Sequence, residues 1–222
     1  MDIDANLAEY LADRQPTERY ASFDYCFNHF QSYREHGRSG DLAQGLGLEV
    51  SCLQLGFYLA SWGMYRGSAK LLGHSLARLA PVVEVIADSA TGIWEADADD
   101  YGDPVCDELL HCADRLRQAL PHPASDTLVT KIMLGVFGCV PAFDTYFVAG
   151  SGLRTFNRRS LFELGRFYRT HRQVIERNRI KTLDFATGQL TARRYSRAKV
   201  IDMIFFTEGS HQTDKRHISR AW

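Results

Sequence analysis

The sequence contains little lysine and none of the common motifs for nucleotide or zinc binding. Of its 26 Lys and Arg residues, only 5 are lysine and 21 are arginine. There is no GxGxxG, P-loop, HExxH or GxSxG motif, and the five cysteines form no CxxC pair. Rossmann-type nucleotide binding, zinc-dependent hydrolysis and α/β-hydrolase chemistry therefore have no support, and we expect neither a cofactor nor a metal.

The chain also lacks a long uninterrupted hydrophobic run and a signal peptide. Its two most apolar stretches, residues 48–64 and 128–148, are interrupted by Glu49, Lys131 and Asp144, so both are predicted to be core helices instead of membrane spans. The first twenty residues are acidic and contain no apolar segment of the signal-peptide type. An odd number of cysteines within apolar segments is typical of reduced, buried thiols. We therefore expect a cytoplasmic protein without membrane contact.

The formal net charge of −1 hides an uneven distribution of charge along the chain. Residues 1–150 contain 10 basic and 21 acidic residues, a balance of −11, whereas residues 151–222 contain 16 basic and 6 acidic residues, a balance of +10. A separation of positive and negative charge of this size is more informative about binding partners than about the fold. The basic segment is rich in guanidinium groups, which suit phosphate and carboxylate ligands.

Periodicity and capping residues predict an all-α fold. A chain of 222 residues with 45% hydrophobic residues suits one globular domain over residues 1–222. We expect a single-domain helical bundle of about seven to nine helices, with a small hairpin or a loop over residues 182–195.

Five segments carry more detailed expectations. The apolar helix 42–64 is placed at the centre of the bundle, and Ser68 is predicted to cap a helix that runs to about Ala87. Residues 128–148 are predicted to form one helix bent at Pro141. Residues 150–152 are expected to be a hinge, and residues 209–222 a mobile tail.

Residues 155–179 predict a long amphipathic helix with an apolar face and an opposite arginine face that includes Phe162. Arginines interleaved with aromatic residues can hold a phosphate backbone and stack on unpaired bases. We therefore predict that an Arg-rich C-terminal surface binds RNA or DNA. The predicted contact residues are Arg154, Arg158, Arg159, Arg169, Arg172, Arg177, Arg193, Arg194, Arg197 and Lys199.

Other interpretations of this charge pattern remain open. The basic surface can dock on the acidic part of its own chain or on a partner protein, or it can be a plain solvated face. In the partner version, the acidic residues 88–108 of one copy meet the basic segment of another, and head-to-tail contacts build a homo-oligomer with an interaction or regulatory role. A small-molecule enzyme is a further alternative whose substrate the sequence does not indicate.

One short motif adds a catalytic hypothesis. The segment from Arg166 to His171 matches the R-x4–6-H pattern and so resembles the helical HEPN ribonucleases. The resemblance implies that Arg166 and His171 are catalytic, polarising the scissile phosphate and moving the proton of the 2′-hydroxyl without a metal. The second motif position, often polar in that family, is Phe167 here.

Two other groups of polar residues are candidates for a metal site or a binding pocket. Residues 97–108 resemble an EF-hand calcium loop, but Tyr101 stands where a carboxylate ligand is needed, so a solvated acidic loop is favoured. Charged or polar side chains also interrupt apolar helices and must find partners, either in structural ion pairs or in a pocket. They are Asp24, His29, Arg66, Lys131, Asp144 and Asp202.

Overall fold

The computed structural model describes residues 1–66, 71–121 and 124–219, with side chains described as far as residue 213. This part of the chain forms ten α-helices and one two-stranded antiparallel hairpin, so the predicted all-α fold with a small hairpin is confirmed. The helices are α1 (Ile3–Ala12), α2 (Ala21–Glu35), α3 (Gly45–Ser61), α4 (Ala80–Ala87), α5 (Thr91–Glu95), α6 (Asp103–Ala119), α7 (Asp126–Phe137), α8 (Thr145–Ser151), α9 (Arg158–Arg177) and α10 (Arg197–Ser219). The hairpin strands are β1 (Lys181–Leu183) and β2 (Leu190–Arg194).

A continuous hydrophobic core joins the first helix to the last. Leu7 of α1, Phe27 of α2, Ile132 of α7, Leu161 of α9 and Ile204 of α10 all belong to this core. Helix α10 packs on α1, α8 and α9, while α2 packs on α3 and α7. The core therefore includes side chains from both the acidic and the basic parts of the sequence.

Helix α3 is not surrounded by the core, contrary to the prediction for residues 42–64. One side of α3 buries Leu55 and Leu59, but Leu46, Leu53 and Phe57 on the other side are exposed. A helix whose sequence is apolar on all sides favours contact with apolar groups on all sides. The sequence does not indicate whether those groups belong to the same chain.

Residues 128–148 form two helices instead of one bent helix. Gly138 adopts a left-handed conformation with φ of 69° and ends α7. Asp144 then starts α8, because its carboxylate accepts the backbone N–H of Phe147 at 2.9 Å. Short 3-10 segments at Leu71–Gly73 and Leu76–Leu79 precede α4, and the predicted cap Ser68 lies outside the described residues.

Gly150, predicted to be part of a hinge, instead lies at a close contact between two helices. Gly150 lies in α8 and Gly209 lies in α10, and each packs directly against the backbone of the other helix. A β-carbon on Gly150 would collide with the carbonyl of Phe205, and one on Gly209 would collide with the carbonyl of Tyr146. The absence of side chains therefore serves close helix packing here, not flexibility.

The predicted mobile tail is also helical, because α10 continues through Gly209 to Ser219. Side chains of α10 bind α1: Glu208 accepts the Asn6 side-chain amide at 3.1 Å, and His211 lies 2.8 Å from Glu9. Residues 220–222 lie outside the described part of the chain.

All five cysteines are free and buried. Burial raises the pKa of the Cys106 and Cys112 thiols to about 11, so neither is a ready nucleophile at neutral pH. None of the described helices combines the length and the hydropathy that crossing a bilayer requires.

Candidate nucleic-acid interface

Helix α9 has the two faces that its sequence predicts. Asn157 starts the helix by accepting the backbone N–H of Ser160 at 3.0 Å. Leu161, Leu164 and Tyr168 lie in the core, and the arginines occupy the exposed side. The twenty residues of α9 span about 30 Å, so the helix presents an extended polar face.

Three of the predicted contact arginines are already bound by carboxylates of the same chain. Arg158 pairs with Asp103 at 2.6 Å and also with Asp107. Arg177 pairs with Asp4 at 2.6 Å. Arg193 pairs with Glu35 at 2.5 Å.

Two more predicted residues belong to the interior of the charge network. Arg197 pairs with Glu176 at 2.6 Å and with Asp97 at 3.3 Å. Lys199 is only 2% exposed and pairs with Asp202 at 2.9 Å, so it cannot contact an external polyanion. Arg158, Arg177, Arg193 and Arg197 thus dock on carboxylates of residues 1–150, as one interpretation of the sequence predicted. The partner of Lys199, Asp202, lies within the basic segment itself.

The remaining predicted residues are exposed and keep their charge available. Within the described part of the chain, Arg154, Arg159, Arg169 and Arg172 have no carboxylate partner. Arg194 donates only to the backbone carbonyl of Arg179, at 2.8 Å. The available basic surface is thus concentrated on α9 and the residues just before it.

The two residues of the ribonuclease-like motif line the same open cavity, which has a volume of about 260 Å³. Arg166 pairs with Glu163 at 2.6 Å. Because both side chains are accessible to solvent, this ion pair is weak and leaves Arg166 able to bind another anion. His171 has non-helical backbone φ and ψ angles of −112° and 22°, and its ring contacts the Phe167 ring in a tilted arrangement with 4.5 Å between centroids. Thr170, Ser151 and Glu163, which the sequence did not single out, also line this cavity.

The EF-hand-like segment is held in place by two buried residues, Asp97 and Tyr101, and its second half is the start of α6, while its other acidic side chains are exposed. The Asp97 carboxylate accepts backbone N–H groups from Ala98 and Ala198, each at 2.8 Å. Burial raises the pKa of this carboxyl, although the hydrogen bonds it accepts act in the opposite direction. Tyr101 is buried and donates its hydroxyl to the Cys139 carbonyl at 2.7 Å. Within the described residues, no three His, Cys, Asp or Glu side chains form a metal-binding group.

Asp24, Lys131, Asp144 and Asp202 form ion pairs, as one of the two sequence interpretations predicted. Arg66 is exposed and has no carboxylate partner among the described residues. Lys131 pairs with Asp144 at 2.8 Å. Asp24 pairs with Arg14 at 2.6 Å and accepts the Tyr195 hydroxyl at 2.5 Å. Each buried charge is thereby matched, which its desolvation requires.

His29 is a half-buried polar group without an ion-pair partner. Its Nε2 lies 3.0 Å from the hydroxyl of Ser51, which is fully buried. Burial lowers the pKa of the His29 imidazole to about 4. This histidine is therefore a satisfied structural residue.

Comparison of the chain with protein-family models, with curated proteins and with solved structures finds no match.

Proposed function

We propose that the exposed face of α9 binds single-stranded nucleic acid. The observation that carries this proposal is the group formed by Arg159, Phe162, Arg166 and Arg169 on one helix. Phe162 is 37% exposed among these arginines instead of being buried with the other aromatic residues of the core. Guanidinium groups bind phosphates, and an exposed aromatic ring stacks on an unpaired base, which together is the chemistry of single-strand binding.

The geometry supports contact with several consecutive nucleotides. Arg159 and Arg169 lie ten residues apart on one helix, about 15 Å at 1.5 Å per residue. Glu163 is the acidic side chain within this stretch of the helix. The surface is narrower than the sequence predicted, because five of the predicted residues are bound by carboxylates of the chain.

The test is fluorescence anisotropy of a labelled single-stranded RNA at several salt concentrations. We expect tight binding at low salt and weaker binding at high salt, because each neutralised phosphate releases counterions. A variant with Arg159, Arg166 and Arg169 each changed to Gln should lower the salt slope by about 2, since each single-strand contact contributes roughly 0.7.

A matched control changes three other exposed arginines, Arg38, Arg66 and Arg78, to Gln. This variant has the same net charge as the α9 variant and should bind like the wild type. Absence of binding at low salt, or equal loss in the two triple variants, would refute the proposal.

Cleavage of the bound RNA is an extension of this proposal that the shared cavity of Arg166 and His171 supports. In this reaction His171 accepts the proton of a 2′-hydroxyl, whose oxygen attacks the adjacent phosphorus. The 5′-oxygen leaves and takes up a proton, while Arg166 stabilises the negative charge on the phosphoryl oxygens. This reaction needs no metal ion and no oxidant or reductant.

Self-association is a second candidate function, favoured by the exposed side of α3. Leu46, Val50, Leu53, Phe57 and Ala60 follow one another at spacings of four, three, four and three residues, which is the seam of a coiled coil. Leu46, Leu53 and Phe57 are 73%, 48% and 65% exposed. An apolar stripe of this regularity fits a second helix better than it fits solvent.

We infer that the partner is a second copy of this chain. Under a two-fold axis near Leu53 the stripe packs on its own copy, which buries both stripes. Glu49, the sole charged residue of α3, lies beside the stripe and not within it, so no charge is buried in the contact.

A further inference from the structure

Three positively charged side chains surround the indole ring of Trp62, at the end of α3. The Lys131 ammonium lies 4.8 Å from the ring centroid, the Arg19 guanidinium 5.2 Å and the Lys199 ammonium 5.7 Å. Each position is favourable for a cation facing an aromatic ring. Three like charges around one ring nevertheless repel one another, so the cluster needs negative charge.

The protein supplies two of the three counter-charges. Asp144 binds Lys131 at 2.8 Å, and Asp202 binds Lys199 at 2.9 Å. Both aspartates are also engaged by backbone N–H groups, of Phe147 and Ala142 respectively. Among the described residues, no carboxylate forms a salt bridge with Arg19. The cluster therefore carries one uncompensated positive charge.

A cavity of about 210 Å³ opens beside this cluster. It is lined by Arg19, Trp62, Lys131, Asp144, Tyr146 and Phe206, among others. Lys131 is 3% exposed and therefore lies in the protein interior, whereas Arg19 is exposed to solvent. The cavity thus runs from an exposed cation to a buried one.

The polar groups of the cavity are mainly hydrogen-bond donors. Arg19 and Lys131 can only donate. The indole Nε1 of Trp62 is buried without a hydrogen-bond partner among the described residues, although a buried donor normally has one. The Asp144 carboxylate already binds Lys131 and the backbone of α8. Among the described residues, the lining therefore has no carboxylate left to pair with Arg19.

The walls of the cavity are aromatic. Tyr146 packs on Phe206 with 5.1 Å between ring centroids, and Phe206 packs on Trp62 at 5.7 Å. Tyr146 is one of the exposed large hydrophobic side chains. A flat apolar body suits such walls, since aromatic pairs favour edge-to-face and offset contacts.

We propose that this cavity binds a small aromatic monocarboxylate. One negative charge matches the one uncompensated positive charge, and the carboxylate oxygens accept from Arg19 and Lys131, the two cations that line the cavity. The ring of the ligand lies against Tyr146 and Phe206. An apolar cavity of about 150 Å³ holds benzene, so a volume of about 210 Å³ has room for a benzene ring and a carboxylate.

The site is independent of the nucleic-acid surface, because it involves neither α9 nor its arginines. What indicates a ligand is that an unmatched cation, Arg19, and a buried cation, Lys131, line one cavity with aromatic walls.

The test is isothermal titration calorimetry with benzoate, the neutral benzamide, acetate and inorganic phosphate as probes. We expect benzoate to bind in a 1:1 ratio, and we expect benzamide and acetate to bind at least about tenfold more weakly, since each lacks either the charge or the ring. No detectable binding of benzoate would overturn the proposal. Equal binding of benzamide would overturn the anion requirement, and stronger binding of phosphate would make the cavity a phosphate site instead.

Two variants locate the ligand without breaking a buried ion pair. Arg19→Gln removes the exposed unmatched charge and should weaken benzoate binding about tenfold, while Arg78→Gln removes an exposed charge elsewhere and should leave it unchanged. Trp62→Phe keeps an aromatic ring but shortens the wall that Trp62 gives the cavity, so it should weaken binding while the fold, measured by circular dichroism, survives. Benzoate affinity unchanged in both Arg19→Gln and Trp62→Phe would place the ligand elsewhere and overturn the assignment.

Discussion

The Asp97 carboxylate accepts the backbone N–H of Ala198 at 2.8 Å, across 101 residues of sequence. The same carboxylate accepts the backbone N–H of Arg197 at 2.8 Å and binds its guanidinium at 3.3 Å. An acidic residue of the N-terminal part thus caps the helix that begins in the basic part. Arg158, Arg177 and Arg193 pair with carboxylates of the N-terminal part in the same way, so part of the opposite charge of the two parts is neutralised inside one molecule.

Asp97→Ala should strongly destabilise the protein. It removes the acceptor of the first two backbone N–H groups of α10 and leaves Arg197 with fewer counter-charges. Loss of one member of a buried pair costs about 3–5 kcal/mol. The measurement is the free energy of unfolding in urea. Asp100→Ala removes an exposed carboxylate three residues away and should change that free energy by less than about 0.5 kcal/mol; equal losses in the two variants would contradict the assigned role.

Lys131→Met should lower the free energy of unfolding by about 3–5 kcal/mol, because it leaves the Asp144 carboxylate buried without its cation. Adding Asp144→Asn should recover part of this loss, since the amide oxygen can still accept the N–H of Phe147 while no unpaired charge remains. Lys181→Met, at an exposed lysine, is the matched control. Strictly additive effects of the two substitutions would show that the pair is not coupled.

His29 should make the protein less stable in mild acid. The unfolded chain takes up a proton at His29 near pH 6.5, whereas the lowered pKa in the folded state is about 4. The unfolded state therefore binds more protons in this window, and the free energy of unfolding falls as the pH drops from 6.5 to 4. The loss should be roughly 1–3 kcal/mol, since the ring is only partly shielded from solvent.

His29→Gln should remove this contribution to the pH dependence of urea unfolding, because glutamine does not titrate. His36→Gln, at an exposed histidine, should leave the pH dependence as it is in the wild type. An unchanged slope in His29→Gln would assign the acid sensitivity to other groups.

His171→Phe should abolish RNA cleavage measured in EDTA, if the protein cleaves the RNA that it binds. Phenylalanine keeps the ring contact with Phe167 but cannot accept a proton, and loss of a general base costs about 10²–10⁴-fold in rate. His36→Phe is the control for a general effect of the substitution. If the wild-type protein binds RNA without cleaving it, the cleavage hypothesis is wrong and α9 serves binding alone.

Phe57→Glu should convert the proposed α3-paired dimer into a monomer, as measured by sedimentation equilibrium. The carboxylate would be buried in the apolar seam, so we expect the dissociation constant to rise at least about 100-fold. Phe185→Glu changes another exposed phenylalanine, in the hairpin, and should leave the mass unchanged. A wild-type protein that is monomeric at high concentration would exclude this pairing.

Local sequence patterns were sufficient for the helical character of the chain. The 3.6-residue periodicity of α9 predicts its buried and exposed faces, and the β-prone segments around Thr187 and Gly188 predict the hairpin. Buried charges such as Lys131 were expected to be paired because an unpaired charge in the interior is too costly. These inferences succeed since they depend on residues close in sequence or on the chemistry of single side chains.

Only the tertiary structure decided which charges are available to a partner. Arg158 meets Asp103, 55 residues away, and Arg193 meets Glu35, 158 residues away, so neither pairing is visible in a local pattern. The helix packing likewise brings Arg19, Lys131 and Lys199 to one indole ring from three different parts of the chain. Composition and periodicity set the elements and their faces, whereas contacts between residues distant in sequence determine which side chains neutralise one another and which remain free to bind.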